Sequence, residues 1–150
     1  MKIWRLVREG HEDLDGSGTM KFGGRYSSPG RPIVNFASEA ALAVLIALRY
    51  LPTSDDAMRV QYFLGWTEID SEPVRIPDQG DDAVKKSLVD EWAESRRTLF
   101  AALSSAVLPE ADIILMNPLH SEAMRVPPLT VRPFSFAQCL HRPPMLDHYR

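Results

Sequence analysis

The chain has 150 residues and a mass of 16.9 kDa, enough for one compact domain with a single core. Its 45% hydrophobic and 25% charged residues exclude chain-wide disorder as a default. A formal net charge of −3 and a pI near 5.8 leave no global basic field for DNA, RNA or an anionic membrane, but a local basic pocket for a small anion remains open.

Lys2 to Val7 alternates enough to predict a short first strand anchored by Ile3 and Trp4. His11 to Gly24 reads as a polar, glycine-rich loop. Arg31 to Phe36 reads as a second strand. Ser38 is the expected N-cap of a helix over Glu39 to Tyr50, and this segment is apolar nearly all round, which predicts a central, buried helix. Arg59 to Ile69 has strand composition, with Val60, Tyr62, Leu64 and Trp66 on one face. A helix is expected from about Asp81 to Arg96, with Val84, Leu88 and Trp92 as its buried stripe. Leu99 to Leu103 and Ile113 to Met116 are apolar runs of strand length, the second stopped by Asn117-Pro118. A last short strand is expected around Phe134 to Phe136. The strict strand–helix alternation of a doubly wound sheet is missing. The expected class is α+β: one compact domain over residues 1–150, with short, mostly antiparallel strands and helices.

The single cysteine, Cys139, excludes an internal disulfide and a multi-cysteine zinc site, which fits a reducing compartment. No apolar stretch follows the early charges of Met1 to Arg5, so no signal peptide is expected. The longest apolar run, Ala40 to Leu48, is far short of the roughly 20 residues of a membrane helix. A soluble, cytoplasmic protein is the expectation. His11, His120, His141 and His148 are scattered, so no metal is expected; no P-loop is present, and the glycines between Gly16 and Gly24 do not fit a dinucleotide fingerprint.

The segment Gly16 to Gly30 concentrates five glycines around Arg25, Ser27 and Ser28. Such backbone can come close to a ligand, and an arginine on it is suited to gripping a phosphate through two parallel hydrogen bonds. A surface turn with a solvated arginine is the competing reading. Ser104-Ser105, at the end of an apolar strand, either lines a pocket or bonds its own backbone. Asn117-Pro118-Leu119-His120 suits a turn capped by Asn117. Arg5, on a first strand expected to be buried, calls for an anionic partner.

Taken in order, these pieces resemble the RES family, named for an Arg, a Glu and a Ser its members share, which supplies toxins of bacterial toxin–antitoxin operons. The resemblance rests on Trp4-Arg5, Gly16-Ser17-Gly18, Gly23-Gly24-Arg25-Tyr26-Ser27-Ser28-Pro29-Gly30, Ser105-Ala106-Val107-Leu108-Pro109-Glu110 and Asn117-Pro118-Leu119-His120, and spans most of the chain.

The resemblance implies an ADP-ribosyltransferase-like fold acting on NAD as substrate. The bond between nicotinamide and ribose is cleaved, with phosphate, water or a protein side chain as acceptor, giving NAD depletion or ADP-ribosylation. It implies Arg25 and Ser105 as catalytic residues. Arg5, Gly24, Arg25, Tyr26, Phe36 and Ser105 would contact the dinucleotide, with an aromatic stacked on the nicotinamide. The implied partner is an Xre-type helix-turn-helix antitoxin; a homodimer is a further candidate, and nucleic acid and membrane are not expected partners. Two positions depart from the pattern. The family Tyr falls at Asn35 or Phe36, and the family Glu at Ile46 or Ala47. Glu39 lies on the same segment, about two helical turns away, and suits a first-turn acid favoured by the helix dipole. The alternative is therefore a catalytically inactive RES-fold protein that binds an antitoxin or a nucleotide.

Overall fold

The computed structural model describes residues 1–51 and 59–144. In chain order the elements are β1 (Lys2–Arg8), α1 (Ser17–Phe22), β2 (Val34–Ala37), α2 (Ala40–Arg49), β3 (Tyr62–Glu68), β4 (Val74–Arg75), α3 (Asp82–Ser95), β5 (Phe100–Ser104), β6 (Asp112–Met116), a 3-10 turn (Ala123–Arg125), β7 (Thr130–Phe134) and α4 (Phe136–Leu140). The strands form one sheet in the order β4-β5-β6-β2-β1-β3-β7. Every neighbouring pair is antiparallel except β4 and β5, so the expected α+β class holds.

One junction in this sheet is thin. β1 pairs with β3 over its whole length, and β2 pairs with β6 over its whole length. Between β1 and β2 the register contains a single pair, Trp4 with Ala37. The sheet is therefore two lobes, β4-β5-β6-β2 and β1-β3-β7, joined at one seam.

Strand alternation sends side chains to two faces. One face carries Ile3, Val34, Phe36, Phe100, Ala102, Ile114 and Met116 into a core closed by Leu14, Ala123, Val126 and Leu129. On the other face the core is in two parts. Ala101, Leu103 and Leu115 pack with Val89, Trp92 and Ala93 of α3. Ala37 and Leu64 pack with Leu42 and Ala43 of α2, with Trp4 and Leu6 alongside. α2 thus lies across the seam, in contact with both β1 and β2.

Several expectations need correction. α2 is half-buried rather than central: Leu42 and Ala43 are enclosed, while Ala41, Leu45 and Arg49 are exposed. An open cleft wall is as apolar as a core, so composition could not separate them. The N-cap is Glu39, without a side-chain hydrogen bond, and Ser38 Oγ instead accepts from the Asp112 N–H at 2.9 Å, tying β2 to β6. In α3 the N-cap Asp81 accepts from the Val84 N–H. Val84 itself is exposed, and Val89, Trp92 and Ala93 form the buried face. A four-residue spacing overshoots the 3.6-residue turn, so Val84 lies roughly 80° around the helix from Trp92. The last strand ends at Phe134, and Phe136 opens a helix capped by Ser135.

The glycine-rich loop holds the short helix α1, which was not expected. Gly16 takes φ +69°, and a Cβ there would stand 2.8 Å from the Ile33 nitrogen. Thr19 Oγ1 lies 2.7 Å from both the N and the O of Ile33, so α1 is pinned to the approach of β2.

Candidate active site

A cleft of about 550 Å³ lies over the seam and takes walls from both lobes and from α2. β1 supplies Arg5 and Arg8, β2 supplies Asn35, and α2 supplies Ile46, Ala47 and Arg49. Beyond the Trp4–Ala37 pair the two strands no longer bond each other, which leaves room for side chains between the lobes.

The loop after α1 brings Arg25 to this cleft. Gly24 N–H donates to Ser27 O at 2.9 Å, closing a tight turn with Arg25 and Tyr26 at its tip. Gly23 enters the turn at φ +73°, and a Cβ there would stand 3.0 Å from Ser27 O. The Tyr26 ring is 6% exposed and packs with Val89 and Trp92. Its hydroxyl is buried without a hydrogen-bond partner among the described residues. The Arg25 guanidinium carbon is 5.2 Å from the Tyr26 ring centroid, and its Nε donates to Asp82 Oδ2 at 3.1 Å. That bond holds the Arg25 pKa above the usual arginine value. Among the described residues only Nε has a hydrogen-bond partner, so the terminal nitrogens are available for a ligand.

Three further contacts fasten the loop to α3. Ser28 donates its N–H and its hydroxyl to the two carboxylate oxygens of Asp90, at 3.1 and 2.7 Å. Arg31 pairs with Asp90 and with Glu94.

Ser105 follows β5, is 2% exposed, and lines the same cleft as Arg25. Its Oγ accepts from the N–H groups of Val107 and Leu108, at 3.2 and 3.3 Å. The backbone-bonded reading therefore applies, and so does the pocket-lining one: an oxygen that accepts twice keeps its own hydrogen to donate. Arg5 also lines the cleft, with Nη1 buried and without a hydrogen-bond partner among the described residues. Burial pulls its pKa below the usual arginine value, and Asp15 opposes that shift. A guanidinium in this condition suits an anionic ligand.

Gly24 and Tyr26 line the cleft with Arg25. Phe36 reaches the wall but is only 2% exposed, since alternation puts its ring in the opposite core. Asn35 beside it is exposed to the cleft, and so the side chain on offer from β2 is polar. Ile46 and Ala47 face the cleft from α2, whereas Glu39 is exposed at the helix start and is not among the lining residues. Among the described residues no Asp, Glu or His lines the cleft. His148 lies outside the described residues. Among the described residues, too, no cluster of three His, Cys, Asp or Glu is placed to hold a metal ion, and no helix is long and apolar enough to cross a membrane.

Arg8, Arg49, Asp82 and Asp90 were not singled out by sequence reasoning. The arginines read as ordinary polar ends of a strand and a helix. The two aspartates read as solvated helix acids, because their partners lie some 60 residues away.

This fold has a counterpart among solved structures. The chain superposes on a chain of the M. tuberculosis MbcT–MbcA toxin–antitoxin complex with a TM-score of 0.72 at 15% identity, covering 91% of this chain and 85% of the other. A family model described as the RES domain matches residues 2–137, and the chain belongs to that family. It is 30% identical over 148 residues to the "Prs ADP-ribosylating toxin" of Sphingobium sp. (strain YBL2), covering 87% of this chain and 90% of the relative. It is 26% identical to the "Toxin Res" of Yersinia enterocolitica, covering 91% of this chain and 96% of that relative.

Proposed function

We propose that this single-domain chain is a RES toxin that takes NAD as substrate, cleaving the bond between nicotinamide and ribose and passing the ADP-ribosyl group to water, phosphate or a protein side chain. The carrying observation is the meeting of Arg25 and Ser105, far apart in sequence, in one arginine-lined cleft. The membership in the RES family and the ADP-ribosylating relative support the same reading.

Cleavage builds oxocarbenium character on the ribose, and an enzyme gains by fixing the diphosphate and stabilising that charge. Arg25 holds the diphosphate through its terminal nitrogens, and Arg5 adds a buried cation. Ser105 donates its hydroxyl hydrogen to the ribose or the carboxamide. Tyr26 offers an unsatisfied hydroxyl at the same turn. No metal takes part. The toxin works in the cytoplasm and is neutralised by an Xre-type antitoxin; self-association into a homodimer is its other pairing.

One observation favours a second reading. Asn35, Ile46 and Ala47 line the cleft where the resemblance expects a Tyr and a Glu. A missing electrostatic group costs on the order of 10² to 10³ in rate. An inactive protein that binds a nucleotide or an antitoxin fits that absence. Nicotinamide release, with and without phosphate, separates the two. The enzyme reading requires turnover that Arg25→Ala abolishes and Ile46→Glu or Ala47→Glu speeds. Dinucleotide binding with no release from any folded variant leaves the binding protein.

A further inference from the structure

The charges around the cleft are one-sided. Arg5, Arg8, Arg25 and Arg49 line it, and among the described residues no acid does. Asp82 bonds Arg25 and Asp15 lies within electrostatic reach of Arg5, both from outside the wall. Arg8 and Arg49 make no ion pair among the described residues. Among the described residues, two counter-charges against four arginines leave the site positive. The α2 wall offers Ala43, Ile46, Ala47 and Arg49, none of which can face a cation with a negative charge.

Building on the dinucleotide reading above, we propose that the cleft selects its ligands by the charge of their ring, taking ADP-ribose and dinucleotides with an uncharged ring in preference to those with a cationic nicotinamide. Oxidised and reduced dinucleotides have the same diphosphate and nearly the same shape. They differ by a hydride and one positive charge on the ring. The diphosphate is attracted by the arginines in both. The cationic ring is repelled by the same arginines and meets an apolar wall, so it contributes an opposing interaction that the neutral ring lacks. The consequence for turnover is product retention: ADP-ribose, lacking the cationic ring, outcompetes the substrate that gave rise to it.

The test is calorimetric titration of the full chain with ADP-ribose and with the oxidised and reduced forms of the carbocyclic NAD analogue, whose ring–sugar bond does not cleave. At low salt the reduced form is expected to bind about ten- to twentyfold tighter than the oxidised form, the size expected for one unit charge roughly 10 Å from a cation near a protein surface. Added salt closes the gap. Ile46→Glu and Ala47→Glu, each checked for folding by thermal melt, narrow or reverse it. Arg49→Gln, at an exposed position, narrows it without introducing a new charge. Binding of ADP-ribose with equal affinities for the analogue pair, or with the oxidised form tighter, overturns charge selection and leaves the dinucleotide site standing. Binding of none of the three overturns both.

Discussion

Ser28 and Asp90 are 62 residues apart and meet in a two-point clasp, the serine N–H on one carboxylate oxygen and its hydroxyl on the other. Through this clasp α3 holds the turn that carries Arg25 and Tyr26. Asp90 also faces Arg31, so one carboxylate organises both the turn and its exit.

Asp90→Ala removes two hydrogen bonds to a charged, mostly covered acceptor. The expected loss of stability is about 2 to 3 kcal/mol, read from denaturant melts. Amide exchange should rise first in residues 23–31. ADP-ribose affinity should fall more than it does in Ile114→Ala, a core variant far from the turn. Equal affinities in the two variants would show that the clasp does not serve the site.

Tyr26→Phe deletes a buried hydroxyl that has no partner among the described residues. Because an unsatisfied buried polar group costs about 1 to 3 kcal/mol, the unliganded variant should be as stable as the wild type or slightly more so. Its affinity for ADP-ribose should fall about threefold or more, since the hydroxyl is satisfied by the ligand. A stabilised variant with unchanged affinity would place the hydroxyl outside the ligand's reach.

Much of the architecture was legible because its signals are local. β1, β3, β5 and β6 follow apolar runs bounded by polar residues, and α3 is announced by Asp81. What was hidden depends on distant partners. α1 has six residues, one of them a glycine, too weak to stand alone; it forms because Thr19 bonds Ile33 and Gly16 fits beneath Pro32. α2 looked like core because Ile46 and Ala47 are apolar, and only the seam between β1 and β2 shows that they face open space. Arg25 and Ser105 stood out from motif order, whereas nothing in the sequence ties Asp90 to Ser28.

Asn117 is 1% exposed at the end of β6, with Nδ2 donating to Ala93 O at 2.9 Å and Oδ1 accepting from the Leu119 N–H at 3.0 Å. It joins α3 to the sheet and shapes the following turn. Asn117→Ala should cost about 2 to 4 kcal/mol in equilibrium unfolding, a cavity and two broken bonds together. A loss below 1 kcal/mol would contradict this assignment.

The Asp15 carboxylate accepts from the Ser17 N–H at 3.0 Å, which depresses its pKa; Arg5 adds a smaller pull in the same direction. A carboxyl depressed on folding contributes stability in full above its unfolded value, roughly 3.9, and loses that contribution as pH falls through the folded value. Asp15→Asn should therefore lower the thermal midpoint at neutral pH and close on the wild type at the acid end. A constant difference across the range would rule out this carboxylate as its source.

The central claim is that one cleft, with Arg25 and Ser105 on its walls, receives the ADP-ribosyl part of a dinucleotide. A crystal structure of the chain saturated with ADP-ribose tests it most directly. Diphosphate oxygens are expected on the Arg25 terminal nitrogens, with Arg5 Nη1 hydrogen-bonded and Ser105 Oγ donating to the ligand. Ligand bound elsewhere, or a cleft left empty at saturating ADP-ribose, would contradict it.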